Sequence, residues 1–441
     1  SGEMTAAPLL KLENFKGKTF QMRHPLSNVE SGPTPPVDSS GYPSARRSFR
    51  PPPVYSGGVL PYHNPSSFRF SCKELPVSEL LETPLAAWHR AHGAKMAPFA
   101  GWDMPIQYEG ILVEHNHTRA VASVFDICHM GQFVVRGEGA ARLLALAVTH
   151  NLDSLKPGKC RYGFLLNPQS GVLDDLIIYR MGDDHFFLVV NAACAEGDFA
   201  VLSERLPGLV ENISARSGKI DLQGPASVEV LEKLLGENFH DLGYFSFRET
   251  NFGGRPLLVS RTGYTGELGY ELYPSREMTL PLWEALVADE RVKPAGLGAR
   301  DTLRLEVGLA LYGHELDTEH TPAESGMGGM LASAAPYVGH EHAKDIRHQI
   351  LLPLVLDGRR TARNGDAVTL PGEGGQSGEI VGRVTSGSFA PSLGHAVALA
   401  FVDKAHAARE DFALVVGKSV LSARRATLPF YTKGTARAKL Q

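Results

Sequence analysis

The chain has 441 residues, a formal net charge of -4, and 43% hydrophobic against 21% charged residues. This length exceeds that of one ordinary domain, and the composition is typical of a globular protein with sizeable cores. The slightly acidic balance argues against nucleic acid as the main partner, because phosphate binding needs a basic surface. No apolar run reaches the roughly 18 residues that span a bilayer. We therefore expect neither a nucleic acid nor a membrane as partner.

The four cysteines lie far apart and form no C-x-x-C pair: Cys72, Cys128, Cys160 and Cys194. This spacing argues against a disulfide scaffold and against structural zinc. The first 30 residues also lack the basic start and apolar core of a secretory signal. The sequence therefore predicts a cytoplasmic protein.

The first part of the chain, residues 1–78, is a Pro-rich N-terminal extension. Ten of the 29 prolines fall between Pro25 and Pro65, and such a segment favours extended or polyproline conformations. A linker or tail and a docking arm are both compatible with this composition. Because the segment also carries several aromatic residues, we expect it to lie across a folded surface.

From about residue 79 the hydrophobic pattern predicts a mixed α+β protein. Predicted helices cover residues 140–150, 226–235, 280–288 and 298–310. Predicted strands cover residues 162–166, 172–179, 186–190, 256–260 and 268–273. Short strands separated by glycine turns follow at residues 351–356, 366–370, 379–386, 396–401 and 412–416. This last series predicts a small antiparallel β barrel or sandwich at the C-terminus.

Two adjacent acids, Asp174 and Asp175, open the strand predicted at residues 172–179. Side chains alternate between the two faces of a strand, so one acid points toward the interior or a cleft while the other points away. Burying an ionised carboxylate is costly unless it is paired, so a buried acid here needs a reason. A pair of turn-capping acids and a functional carboxylate are both compatible with the spacing.

Two further charged residues lie in positions that suit ligand binding. Glu271 alternates with apolar residues after a glycine-rich turn, where a carboxylate can accept two hydrogen bonds from the planar edge of a pterin or purine. Arg300 lies on a predicted helix whose other face is apolar. It can bind a ligand carboxylate or form a salt bridge with Asp301 or Glu306, and spacing alone favours the salt bridge.

Several common catalytic motifs are absent from the sequence, including the phosphate-binding P-loop, the H-E-x-x-H zinc motif and the G-x-S-x-G elbow. Residues 372–378 (GEGGQSG) are rich in glycine but lie between predicted strands, so we interpret them as a hairpin turn. His115, His117 and His129 are scattered in a way more typical of surface or hydrogen-bonded core residues. We therefore expect no metal site.

Taken together, several stretches resemble the glycine cleavage T-protein (aminomethyltransferase) family, in the family's order. The stretches are residues 83–105 (TPLAAWHRAHGAKMAPFAGWDMP), 125–130 (FDICHM), 171–175 (GVLDD), 190–192 (VNA), 263–271 (GYTGELGYE), 298–313 (GARDTLRLEVGLALYG) and 382–393 (GRVTSGSFAPSL). The resemblance runs from about residue 80 to 430 and does not cover the N-terminal extension.

The resemblance implies an α+β fold shaped as a three-domain cloverleaf with a central folate channel. Residues 79–133 and 216–345 would form a folate-binding α+β domain, and residues 134–215 a second α+β domain. Residues 346–441 would form the C-terminal antiparallel β barrel.

The resemblance also implies a function. Such proteins take the aminomethyl group from the lipoyl arm of the H-protein, release ammonia and form 5,10-methylenetetrahydrofolate from tetrahydrofolate. Asp175 matches the acid that orients the folate and stabilises the cationic, iminium-like carbon. Asn191 and Glu271 match the residues that hold the pterin edge. Met130 and Tyr162 match positions that line the folate, and Arg300 matches a residue at its benzoyl-glutamate end or the neighbouring wall.

Two features qualify the resemblance. Asp126 is a family motif residue, but its place on a turn favours a structural role in fixing backbone amides. After residues 321–324 the chain continues as SGMGGML, where the family usually has an aromatic and then a basic residue. This departure leaves open a folate-dependent demethylase of an N-, O- or S-methyl compound. A non-catalytic folate-binding assembly protein is the third interpretation.

Overall fold

Seven α-helices and twenty β-strands follow one another along residues 80–440, the part of the chain that the computed structural model describes. The α+β class predicted from the sequence is confirmed, and the predicted Pro-rich extension lies outside the described residues. The helices are α1 (Ala86–Ala91), α2 (Ile111–Ala120), α3 (Ala140–Ala147), α4 (Ala195–Arg205), α5 (Ser227–Leu235), α6 (Arg276–Val287) and α7 (Leu297–Glu306). The strands are β1 (Leu81–Glu82), β2 (Lys95–Phe99), β3 (Trp102–Gln107), β4 (Ala122–Asp126), β5 (Gly131–Arg136), β6 (Cys160–Leu166), β7 (Val172–Gly182), β8 (His185–Val190), β9 (Val210–Asn212), β10 (Ile220–Gln223), β11 (Phe247–Phe252), β12 (Arg255–Ser260), β13 (Gly269–Tyr273), β14 (Val292–Pro294), β15 (Gln349–Leu356), β16 (Ala367–Pro371), β17 (Ser377–Ala390), β18 (His395–Asp403), β19 (Asp411–Val416) and β20 (Ser419–Arg425).

A six-stranded sheet has the strand order β11-β12-β13-β10-β4-β14. Its pairs are antiparallel except β4 with β14, which run parallel. Helices α5 and α6 bury their apolar faces in the core of this sheet, around Trp283 and Leu272. The register between β10 and β13 sets Asp221 directly opposite Glu271, so two acids meet across the middle of the sheet.

A five-stranded sheet has the order β6-β7-β8-β5-β9. The three consecutive strands predicted around Asp174 and Asp175 are confirmed as β6, β7 and β8, each antiparallel to the next. Helices α3 and α4 contribute Leu144 and Leu202 to the core of this sheet. Both acids therefore lie on a strand with a neighbour on each side, which fixes their directions.

The C-terminal strands close into a six-stranded antiparallel barrel in the order β15-β18-β17-β16-β19-β20, with β20 pairing back onto β15. The predicted β barrel is confirmed. The glycine-rich segment at residues 372–378 joins the antiparallel strands β16 and β17, so the hairpin interpretation is also confirmed. The sixth strand, β20, was not predicted, because its sequence SVLSARR has no sustained apolar run.

Each of these sheets has its own hydrophobic core. The domain boundaries given above stay a prediction. No helix among residues 80–440 is long and apolar enough to cross a bilayer.

Gly171, directly before β7, should not tolerate a side chain. A Cβ atom there would lie 1.8 Å from the backbone oxygen of Thr318, a contact that only a backbone shift relieves. We expect Gly171→Ala to destabilise the protein by about 1–3 kcal/mol or more, measured by urea unfolding. Gly197 on α4 is a matched control, since a Cβ there meets nothing within 4 Å. Equal stability of Gly171→Ala and Gly197→Ala would contradict the close approach of Gly171 to Thr318.

Candidate functional site

Asn191, directly after β8, holds both acids of β7. Its side-chain Nδ2 donates to Asp174 Oδ1 and to Asp175 Oδ1, both at 2.8 Å. Its backbone N–H donates to Asp174 Oδ2 at 2.9 Å. One residue at the end of a strand therefore orients two carboxylates on the neighbouring strand.

The two acids differ in exposure, as their alternation on the strand predicts. Asp174 is completely buried, at 0% exposure, whereas Asp175 is half-buried. The prediction that one acid faces the interior is confirmed for Asp174. Asp175 is thus the carboxylate that a ligand can reach.

The pKa of Asp175 is displaced toward neutrality. Burial raises it first and the neighbouring charge of Asp174 raises it further, to about 7, although hydrogen bonds from Tyr162 and Asn191 oppose the shift. A carboxylate disfavoured by burial and by a like charge interacts strongly with any positive charge that develops beside it.

Aromatic and thioether groups surround Asp175. Tyr162 on β6 contacts Phe164 edge-on with ring centroids 5.5 Å apart. Its hydroxyl lies 4.0 Å from the sulfur of Met327, in the loop that departs from the family pattern. Met327 packs into the same small core as Tyr162. The loop therefore provides an apolar wall at this side of the site.

Arg300, on α7, forms a salt bridge, but its partner is Asp221 on β10. The alternatives Asp301 and Glu306, expected from their nearness in sequence, were wrong, because the fold places Asp221 of β10 against the guanidinium of Arg300. The guanidinium also lies 4.8 Å from the ring centroid of Tyr264. Burial raises the pKa of Asp221 to about 6, although Arg300 opposes the shift.

Glu271, on β13, is almost fully engaged by other protein groups. Its Oε1 lies 2.8 Å from the ammonium of Lys219. Its Oε2 accepts hydrogen bonds from Thr262 at 2.5 Å and from Tyr273 at 3.2 Å. Burial opposes ionisation, but Lys219 holds the pKa of Glu271 below its usual range.

The buried charges form a compensated quartet of Lys219, Asp221, Glu271 and Arg300. Lys219 and Glu271 are only 1% and 3% exposed. The ammonium of Lys219 also lies 3.2 Å from the sulfur of Met130. Each acid has a cation beside it, so two carboxylates can face each other across β10 and β13 without a net charge.

Comparison with known proteins agrees with this architecture. Residues 85–334 match the family model described as the GCVT N-terminal domain. Residues 347–432 match the model of the glycine cleavage T-protein C-terminal barrel domain. The chain belongs to the glycine cleavage T-protein family of aminomethyltransferases. Family membership makes it a transferase of one-carbon groups.

Individual members of the T-protein family are similar over nearly their whole length. Aminomethyltransferase of Desulforamulus reducens is 38% identical over 81% of this chain and 100% of the relative. Aminomethyltransferase of Streptomyces coelicolor is 38% identical over 81% of this chain and 99% of its own length. The crystal structure of glycine cleavage system aminomethyltransferase T from Bartonella henselae superposes with a TM-score of 0.75. The Bartonella henselae chain is 33% identical in sequence, and the match covers 81% of this chain and 99% of the Bartonella chain.

In this T-protein family member the residues predicted as site residues lie in two adjoining groups. Asp175, Asn191 and Tyr162 form one group around β7. Glu271, Arg300 and Met130 form the other around the charge quartet. Tyr264 lies near both groups. Its ring packs against the guanidinium of Arg300. Burial raises the pKa of its hydroxyl, and the charge of Asp175 raises that pKa further. The ligand-binding roles of these residues stay predictions.

Sequence reasoning missed Lys219, Asp221 and Tyr264. Lys219 directly precedes β10 and Asp221 is the second residue of that strand, so the two charges are two positions apart and alternate with Ile220 and Leu222. Two opposite charges at alternate positions of an otherwise apolar segment are the signal that could have indicated a buried ion-pair network.

The structural role predicted for Asp126 is confirmed. Its Oδ1 accepts a hydrogen bond from the backbone N–H of Cys128 at 2.9 Å. Its Oδ2 accepts from Thr83 at 2.6 Å and contacts Nε2 of His89 at 2.9 Å. This buried acid ties β4 to the segment around α1.

Proposed function

We propose that this chain transfers the aminomethyl group carried by the lipoyl arm of the H-protein to tetrahydrofolate, releasing ammonia and forming 5,10-methylenetetrahydrofolate. The observation that carries this proposal is Asp175, a reachable carboxylate fixed by Asn191 at 2.8 Å and raised in pKa to about 7. A fixed carboxylate in a water-poor site stabilises positive charge that develops on a transferred carbon. The cytoplasmic location stays a prediction.

The donor set of the site fits tetrahydrofolate. Tyr162, Tyr264 and Met130 present aromatic and thioether surfaces suited to a flat ring system. Among the described residues the guanidinium of Arg300 donates from Nη1 alone, to Asp221. Its Nε and Nη2 donors are left for a ligand carboxylate, such as the glutamate end of a folate.

Glu271 is also suited to bind tetrahydrofolate, but with one hydrogen bond to the pterin edge instead of the two expected from the sequence. Oε2 already accepts from Thr262 and Tyr273, so the free acceptor position lies on Oε1 beside Lys219. We therefore assign Glu271 one hydrogen bond to the pterin edge instead of two, with Lys219 keeping the carboxylate ionised. Tetrahydrofolate itself supplies the nitrogens that accept the carbon.

The residues around Asp175 orient its carboxylate and set its pKa. Asn191 fixes the direction of the Asp175 carboxylate, while Asp174 adds the negative charge that raises its pKa. The hydroxyl of Tyr162 lowers the pKa of Asp175, and its ring lines the site together with Met327. Because Met327 packs against Tyr162, this side of the site is closed without the family's usual aromatic residue.

The rate should depend on pH through Asp175. The ionised carboxylate is the active form and its pKa is raised to about 7, so kcat/KM should fall as the pH drops through this value. The hydrogen bond from Tyr162 lowers this pKa. In Tyr162→Phe the acid limb should therefore move to higher pH, which a pH–rate profile measures. An unmoved limb, or a move to lower pH, would contradict the assignment.

The function is tested by incubating the protein with aminomethylated H-protein and tetrahydrofolate and measuring ammonia and 5,10-methylenetetrahydrofolate. We expect both products in equal amounts. A parallel reaction with methylated amines, ethers and thioethers in place of the H-protein tests the demethylase interpretation. Turnover of a methyl compound alongside inactivity toward active H-protein would overturn the proposal.

A further inference from the structure

A third acid, Asp198 on α4, lies behind the acids of β7. It is only 3% exposed, and its Oδ2 has no hydrogen-bond partner among the described residues. Its carboxyl group lies within hydrogen-bonding reach of Asp174. A buried carboxylate oxygen without a donor is costly, so the observed arrangement needs a proton.

The surroundings of Asp198 offer little positive charge. Among the described residues, the titratable and charged groups that face it are Asp174 and Asp175 from β7, Cys194 and Arg205 from the two ends of α4, and Tyr312. Arg205 is the cation of this set, and it donates to the backbone oxygens of Ala147 and Leu166 at 2.9 and 2.8 Å. Within residues 80–440 no cation is bonded to Asp174 or Asp198, so the two acids face each other without a paired positive charge.

We propose that Asp198 is a positioning residue that the folded protein holds as the neutral acid, with its O–H donating to Asp174. Asp174 then keeps its two bonds to Asn191, and Asn191 keeps Asp175 in place. The effect on catalysis rests on the function proposed above, whereas the protonation itself does not.

The proton belongs on Asp198 rather than on Asp174 for a geometric reason. Both oxygens of Asp174 accept hydrogen bonds from Asn191, at 2.8 and 2.9 Å, and these bonds favour the ionised form. In the described part of the chain no group donates to Oδ2 of Asp198. Burial and then the charge of Asp174 raise the pKa of Asp198 to about 11, in agreement with this placement of the proton.

The test compares Asp198→Asn with Asp198→Ala. An asparagine amide can donate to Asp174 as the acid does, so Asp198→Asn should keep kcat/KM within about threefold of wild type. Asp198→Ala removes the donor and should lower kcat/KM at least tenfold. Glu196→Gln, an exposed acid on the same helix, is the matched control and should change nothing.

Thermal unfolding gives a measurement that needs no H-protein or folate. Folded Asp198 keeps a proton that the unfolded chain releases above the ordinary pKa of an aspartate, so wild-type stability should fall as the pH rises. In Asp198→Asn there is no proton to release at this position, so this part of the fall in stability with rising pH disappears. The Tm of Asp198→Asn should exceed that of wild type, and the difference should grow between pH 5 and pH 9.

The outcomes separate the two proposals. A Tm difference between Asp198→Asn and wild type that stays constant from pH 5 to pH 9 would overturn the proposal that Asp198 is neutral. An Asp198→Asn variant with a kcat/KM as low as that of Asp198→Ala would overturn it as well. If wild type makes no 5,10-methylenetetrahydrofolate, the proposed function fails, and the Tm comparison still decides the protonation of Asp198.

Discussion

Replacing Asp175 by Asn is expected to lower turnover by about 10²–10³-fold, the loss that follows removal of one preorganised electrostatic group. Asparagine has nearly the same shape as aspartate but no negative charge, so it cannot stabilise a positive transferred carbon. The affinity for tetrahydrofolate should stay within a few-fold, because Arg300, Glu271 and the aromatic walls are untouched. Single-turnover rates and equilibrium binding measure the two effects separately.

Asp183→Asn is the control for this experiment. Asp183 lies in the turn after β7, and its side chain is 99% exposed, so its replacement should leave both rate and binding unchanged. Wild-type turnover in Asp175→Asn would remove Asp175 from the centre of the mechanism. Equal losses of binding and turnover would instead indicate a role in holding the folate.

Replacing Lys219 by Met is expected to give a large loss of stability, about 3–5 kcal/mol, because it leaves Glu271 as a buried charge without its cation. Methionine keeps an unbranched apolar stem that ends one atom short of the lysine nitrogen, so the change chiefly removes the ammonium, which lies 2.8 Å from Glu271 Oε1. Urea unfolding at neutral pH measures the loss.

The pH dependence of this variant has a predictable sign. In wild type Lys219 lowers the pKa of Glu271. The pair therefore stabilises the fold fully above the ordinary glutamate pKa, and this stabilisation is lost as the pH falls through the lowered pKa of folded Glu271. Without Lys219 burial raises that pKa, and folded Glu271 takes up a proton. The deficit of Lys219→Met should therefore shrink from pH 8 to pH 5.

Two variants control the Lys219 experiment. Lys293→Met removes a lysine that is 44% exposed and paired with Glu109, and it should cost less than about 1 kcal/mol. The double variant Lys219→Met with Glu271→Gln removes both charges and should recover much of the stability. A Lys219→Met protein as stable as the Lys293→Met control would show that the buried pair contributes nothing.

The sequence was most informative where structure follows from local pattern. Alternation along β7 separates the environments of Asp174 and Asp175, and the turns on either side define three consecutive strands. The glycine turns of the C-terminal region likewise predict the barrel. These features depend on neighbours within a few residues, so periodicity and turn chemistry are enough to predict them.

The rest depends on contacts between distant segments. Arg300 pairs with Asp221, 79 residues away in sequence, so a salt bridge sought within the same helix was placed wrongly. Lys219 becomes a partner of Glu271 only through the pairing of β10 with β13. Asp198 lies on a helix that was not predicted, and its missing hydrogen-bond partner can be recognised only once α4 packs behind β7.

The most direct test of the central claim follows the transferred carbon itself. H-protein carrying a ¹³C-labelled aminomethyl group is mixed with the enzyme and tetrahydrofolate for a single turnover, and the label is located by NMR. We predict that the label appears in the methylene bridge of 5,10-methylenetetrahydrofolate, with one ammonia per labelled carbon, and that Asp175→Asn slows its appearance. Release of the label as formaldehyde at the same rate with or without tetrahydrofolate would contradict the account.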